Sequence, residues 1–118
     1  MYTVLDLQRV LKQYGEDMKV FVEFEQTEST PKTIAHANCF GGNFIEKDPK
    51  FEICRSEEDS DELGEFVTVN DYLKSLKDWP EESKVYAYFG DEKFNITKIE
   101  TKIVSQDTSV VIYTRKDG

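Results

Sequence analysis

The chain has 118 residues, with fifteen Lys and Arg against twenty-four Asp and Glu, for a formal charge of −9. That length suits one compact domain or two very small ones, and lets the chain bury roughly two thirds of its unfolded surface without metal or disulfide help. The acidic excess excludes a phosphate-binding surface, which needs a basic face to release counterions, and 38% hydrophobic with 13% aromatic residues excludes wholesale disorder. No run approaches the roughly twenty apolar residues of a membrane span, and no basic start precedes an apolar stretch. The expectation is a soluble cytoplasmic protein with no membrane contact and no direct nucleic-acid contact.

The first predicted element opens at Thr3-Val4-Leu5-Asp6, a capping-box variant in which the Thr hydroxyl accepts an early backbone N–H and the carboxylate faces the positive helix end. Val4, Leu7, Leu11 and Tyr14 follow at helical spacing, and Gly15 ends the helix. Val20, Val22 and Phe24 then alternate as a strand does. A second strand is expected over Thr33–Asn38 and a third over Phe51–Arg55, joined by an enlarged loop at 39–50. That loop holds Phe40, Gly41, Gly42, Asn43, Phe44 and Ile45. Phe40 and Phe44 either tuck over the edge of the core or serve recognition, since loops on rigid scaffolds often carry binding.

Residues 1–55 carry seven basic and nine acidic side chains, and residues 66–118 carry eight and nine. The other six negative charges are Glu57, Glu58, Asp59, Asp61, Glu62 and Glu65, with no cation among them. Such a block repels itself and reads as a solvated linker over 56–65, with an acidic docking loop for a basic partner as the alternative.

Beyond the linker the first pattern returns. Aligned at an offset of 65, Thr3–Phe24 and Thr68–Phe89 share nine of twenty-two residues: Thr3/Thr68, Val4/Val69, Asp6/Asp71, Leu11/Leu76, Lys12/Lys77, Glu16/Glu81, Lys19/Lys84, Val20/Val85 and Phe24/Phe89. Chance supplies about one or two, so the sequence carries an internal duplication. Val69, Tyr72, Leu76 and Trp79 repeat the helical spacing, Pro80 stands where Gly15 stood, and Val85, Ala87 and Phe89 alternate. Lys93–Ile103 and Val110–Arg115 complete a second set of strands. The predicted fold is α+β: two tandem helix–strand–strand–strand repeats, 1–55 and 66–118. Each is an antiparallel meander covered by one helix, and the two pack as one pseudo-twofold unit because a fifty-residue half is marginal alone.

The string Thr-Val-x-Asp-x-x-x-x-Leu-Lys-x-x-Pro-Glu-Glu-x-x-Val over Thr68–Val85 resembles short, mostly uncharacterised proteins common in phages and Gram-positive bacteria, in which a capped helix precedes a small antiparallel sheet. The resemblance implies a folding signature and a mobile-element origin. It carries no catalytic residue onto this chain, and the first copy departs from it at Gly15.

Catalytic chemistry finds little footing. The one histidine, His36, lies three residues before Cys39, with Cys54 fifteen further on. Zinc wants four ligands in paired spacing, and the Cys/His inventory stops at three. On an extended segment residues three apart face opposite ways, which separates His36 from a Cys39 nucleophile. Gly41-Gly42 lacks the following Lys-Ser/Thr of a phosphate loop, and Asn95-Ile96-Thr97 has no secretion signal to make it a glycan acceptor. No enzyme activity, metal or cofactor is expected, and the cysteines read as reduced thiols.

The expected function is a non-enzymatic protein-binding module. Tyr86, Tyr88, Tyr113 and Arg115 fall opposite the apolar stripes, on one outer sheet face that either has the composition of an interaction surface or is covered permanently by the first repeat or a second subunit. In a phage-like setting such a protein could inhibit a host defence or nucleic-acid-handling protein. A self-associating assembly protein and an immunity protein that neutralises a basic toxin are the alternatives.

Overall fold

The computed structural model describes residues 1–43, 47–56 and 67–116. Helix α1 (Val4–Leu11) starts where Thr3 Oγ1 accepts the Asp6 N–H while the Asp6 carboxylate accepts the Thr3 N–H. Thr68 and Asp71 make the same reciprocal pair at helix α2 (Val69–Leu76). Each box satisfies two backbone donors that the first turn would leave open. The backbone bond from Thr3, with help from its hydroxyl, holds the Asp6 carboxyl below its ordinary range. Each helix buries one stripe completely: Val4, Leu7 and Leu11 in α1, and Val69, Tyr72 and Leu76 in α2. Both end at the third apolar position, and tight bonds from Tyr14 N to Leu11 O and Trp79 N to Leu76 O replace the expected extra turn.

The strands are β1 (Val20–Phe24), β2 (Thr33–Ala35), β3 (Cys39–Asn43), β4 (Lys50–Arg55), β5 (Lys84–Phe89), β6 (Glu92–Val104) and β7 (Asp107–Lys116). They form one curled seven-stranded mixed sheet in the order β2-β1-β7-β6-β5-β4-β3. This overturns the expected α+β arrangement of two tandem meanders, each under its own helix. β1 runs parallel to β7 in register Val20↔Val110, and β4 runs parallel to β5 in register Phe51↔Val85. The strand after each helix is therefore joined to the last strand of the other half of the chain. Alternation identifies a strand and its buried face, but it does not specify the neighbouring strand, and that is where the meander reading failed.

The stretch expected to begin the enlarged loop is also different. Cys39–Asn43 is a strand, antiparallel to β4 in register Cys39↔Cys54. Gly42 permits it. Its φ of +106° is open to glycine, and a Cβ there would collide with the Lys50 carbonyl oxygen and lie 3.0 Å from Trp79. The acidic block at 57–65 and Phe44 lie outside the described residues.

Backbone contacts between the two halves obey the same 65-residue offset as the sequence identities. Val4 N donates to Ser83 O and Val69 N to Met18 O; Leu5 N donates to Glu81 O and Asn70 N to Glu16 O. Val85 N donates to Tyr2 O and Val20 N to Val67 O. Shared residues such as Glu16/Glu81 and Lys19/Lys84 thus occupy the strip where each helix start meets the other half.

One apolar core lies inside the curl. It combines both helix stripes with Val20, Val22, Phe24, Phe51, Ile53, Val85, Ala87, Phe89, Phe94, Ile96, Val110 and Ile112. Phe24 sets its ring edge-on to Phe89 and Phe94, at centroid distances of 5.3 and 5.1 Å. The edge strands β2 and β3 are successive in the chain. Between them Asn38 N donates to Cys54 O, and Arg55 Nη1 donates to His36 O. The segment that joins the two sheet edges is thereby fastened to the end of β4.

Candidate protein-interaction face

Because strand side chains alternate, the residues between the core positions share the outer face. The registers set them in rows. Gly41, Glu52, Tyr86, Asn95 and Arg115 form one row across β3, β4, β5, β6 and β7. Cys39, Cys54, Tyr88 and Lys93 form the next. A β-bulge between Ile96 and Lys98 shifts the register, so that Lys98 faces Tyr113, which in turn neighbours Glu23 of β1. The sheet therefore places Tyr86, Tyr88, Tyr113 and Arg115 on one face, with Arg115 and Tyr86 separated by the single strand β6.

They are not equally available. Tyr86 is 6% exposed, too little to meet a partner. Lys93 Nζ sits 4.6 Å above its ring, and its hydroxyl is 4.0 Å from Met1 Sδ. Tyr88 and Tyr113 are half-buried and Arg115 is exposed. Burial, joined by the neighbouring Glu52 carboxylate, pushes the Tyr88 hydroxyl above its ordinary pKa. Lys98 Nζ lies 4.7 Å above the Tyr113 ring. The two lysines were not foreseen from the sequence. With Tyr86 and Tyr113 on β5 and β7, β6 supplies both cations, Lys98 from the position facing Tyr113 and Lys93 from the position facing Tyr88, one row from Tyr86, and the face is cationic–aromatic rather than bare aromatic.

Phe40 does not belong to this face. It packs 4.7 Å from the Tyr72 ring and 5.4 Å from Phe51, on the core side of β3. Trp79 meets Phe51 edge-on at 5.2 Å, so this cluster closes the core beneath the sheet edge.

A cleft of about 320 Å³ opens beside Tyr113 and Arg115, with Glu23, Glu25, Lys32 and Lys98 in its walls. Its acids are engaged: Glu23 lies 3.7 Å from Lys102, and Glu25 accepts the Lys116 N–H. Lys98 is 3.6 Å from Glu100. Among the described residues no carboxylate pairs with Arg115. Outside the cleft lining, Glu92 accepts from the Thr27 and Thr30 hydroxyls and meets Lys116 Nζ at 2.6 Å. The Lys116 hydrogen bond, with those of Thr27 and Thr30, pushes the Glu92 carboxyl down to about 2.

Among the described residues no group of three or more His, Cys, Asp or Glu side chains is placed to hold a metal ion. No described helix is long and apolar enough to cross a membrane. No family model, no curated protein and no solved structure matches the chain.

Proposed function

We propose that the protein is a non-enzymatic binding module that docks a protein partner on the outer face of β6 and β7. The observation that carries this reading is the cleft in which the exposed Arg115, without an ion-pair partner among the described residues, stands beside the half-buried Tyr113. Arginine and tyrosine beside a concavity are the residue types that dominate binding energy at interfaces, and Arg fits a carboxylate in two-point geometry. The complementary partner presents an acidic side chain to Arg115 and apolar surface to Tyr113. With His36 the only imidazole in the chain, no Ser/His/Asp set supports an enzyme reading.

The inhibitor and immunity readings fall within this class and draw on the −9 charge. They call for a basic partner at the acidic block, which gives them an opposite signature. Capture from the native host with Arg115→Glu, set beside a deletion of residues 56–65, separates the two. Loss of the same partner by Arg115→Glu but not by the deletion supports the face; the reverse result overturns it.

A second reading has its own observation. Of β6, only Glu92–Asn95 pairs with β5, so among the described residues the flank of Lys98–Val104 away from β7 has no strand beside it, and Ile103 there is 71% exposed. Such an edge is a template for pairing with a second copy. Light scattering decides: a dimer abolished by Ile103→Lys supports self-association, and a monomer at all concentrations removes it.

A further inference from the structure

We propose that Cys39 and Cys54 form a thiol pair that closes to a disulfide by exchange with a low-molecular-weight disulfide, a redox-responsive site on the outer face of the sheet. The proposal stands apart from the docking reading and rests on the β3–β4 register. The two cysteines are direct antiparallel partners, and the Cys54 thiol donates to the Glu52 carbonyl oxygen at 3.9 Å. Directly opposed residues of an antiparallel pair lie about 4.5 to 5.5 Å apart at Cα, inside the roughly 4.4 to 6.8 Å that a disulfide accepts. Gly41, two residues from Cys39 on the same face, leaves the Cys54 sulfur room: a Cβ at Gly41 would stand 3.6 Å from it. Neither thiol is engaged in a disulfide, Cys39 is exposed, and Cys54 is half-buried.

Exposure assigns the order of events. The Cys39 thiol gives its proton to water and, as thiolate, attacks one sulfur of the incoming disulfide RS–SR. A Cys39–SR bond forms, and RS⁻ leaves and takes up a proton. Cys54 is the resolving thiol. Burial above all, with the neighbouring Cys39 and Glu52, pushes its thiol up to about 12 and makes it a poor first nucleophile. Once Cys39 is bonded to SR, the β3–β4 register keeps Cys54 directly opposite it. Cys54 loses its proton, attacks the Cys39 sulfur and expels the second RS⁻. Two cysteine thiols are oxidised by two electrons, and one RS–SR is reduced to two RSH. The bridge ties the edge strand β3 to β4 in the row that continues into Tyr88 and Lys93.

The test uses the full chain, reduced and then incubated with oxidised glutathione at neutral pH. Products are quenched in acid, alkylated, and read by intact mass and peptide mapping. The wild type is expected to lose two hydrogens and to yield one cross-linked peptide pair containing Cys39 and Cys54. Cys54→Ser is expected to stop at a glutathione adduct on Cys39, and Cys39→Ser to react at least about tenfold more slowly than Cys54→Ser. Three results overturn the proposal. The wild type retains the Cys39 adduct without closing the bridge, it forms a Cys39–Cys39 dimer instead, or it stays reduced in a buffer that oxidises the urea-unfolded chain.

Discussion

Thr33–Asn43 and Glu92–Val104 each come after a capped helix and a core strand, yet they solve the same problem differently. β6 runs unbroken for 13 residues with one bulge, pairing with β5 over Glu92–Asn95 and with β7 from Phe94 to Val104. The earlier stretch breaks at His36–Asn38, sending β2 to β1 and β3 to β4 at opposite ends of the sheet order. One segment therefore lies inside the strand order, with one flank open over Lys98–Val104 among the described residues, and the other supplies both ends of the order. Similar helix–strand openings do not dictate the strands after them: a Gly-Gly pair and a short break make edges, and a run free of glycine makes an interior strand.

That comparison can be sharpened by variants at matched positions. Leu11→Ala and Leu76→Ala remove fully buried side chains from equivalent turns. Each is expected to cost about 3 kcal/mol in urea denaturation, and to cost about the same, because both stripes feed one core. Unequal losses with separate transitions would mean two independent cores.

Gly42→Ala tests the edge. Its Cβ meets the Lys50 carbonyl in a backbone conformation other residues avoid, and an expected loss of about 2 kcal/mol is bounded because an edge strand can peel away. A neutral outcome would remove Gly42 as the residue that permits β3. At the caps, Thr3→Ala and Thr68→Ala are each expected to cost about 1 kcal/mol, read by thermal unfolding.

The smallest effect is pH-dependent. Glu92 has a folded-state value of about 2, lowered from an ordinary 4.5, so its contribution is present above the ordinary range and is lost as pH falls toward 2. In Glu92→Gln the melting temperature should decline less steeply across that window than in the wild type. Identical slopes would show that the Thr27–Thr30–Lys116 cluster does not hold in solution.

The features legible in the sequence were local. Thr-x-x-Asp signals both caps, because the box uses residues three apart; the apolar spacing marks the buried face of each helix; and period-two runs mark the central strands. The outer placement of Tyr88, Tyr113 and Arg115 comes from that same period. Strand neighbours did not, because pairing β1 with β7 brings together residues 90 apart, and nothing in either run encodes the other. The lysines above the tyrosine rings and the Arg115 cleft depend on which strands pair. The glycines beside Phe40 suggested a loop, whereas Gly42 serves a strand packed too close to Lys50 for any side chain.

The exchange of strands between the halves is the claim on which the outer face depends, and backbone nuclear Overhauser contacts test it most directly. Parallel-strand contacts are expected to link Val20–Glu23 to Val110–Tyr113 and Lys50–Arg55 to Lys84–Phe89. Contacts confined to antiparallel partners within 1–55 and within 66–118, with none between β1 and β7, would contradict it.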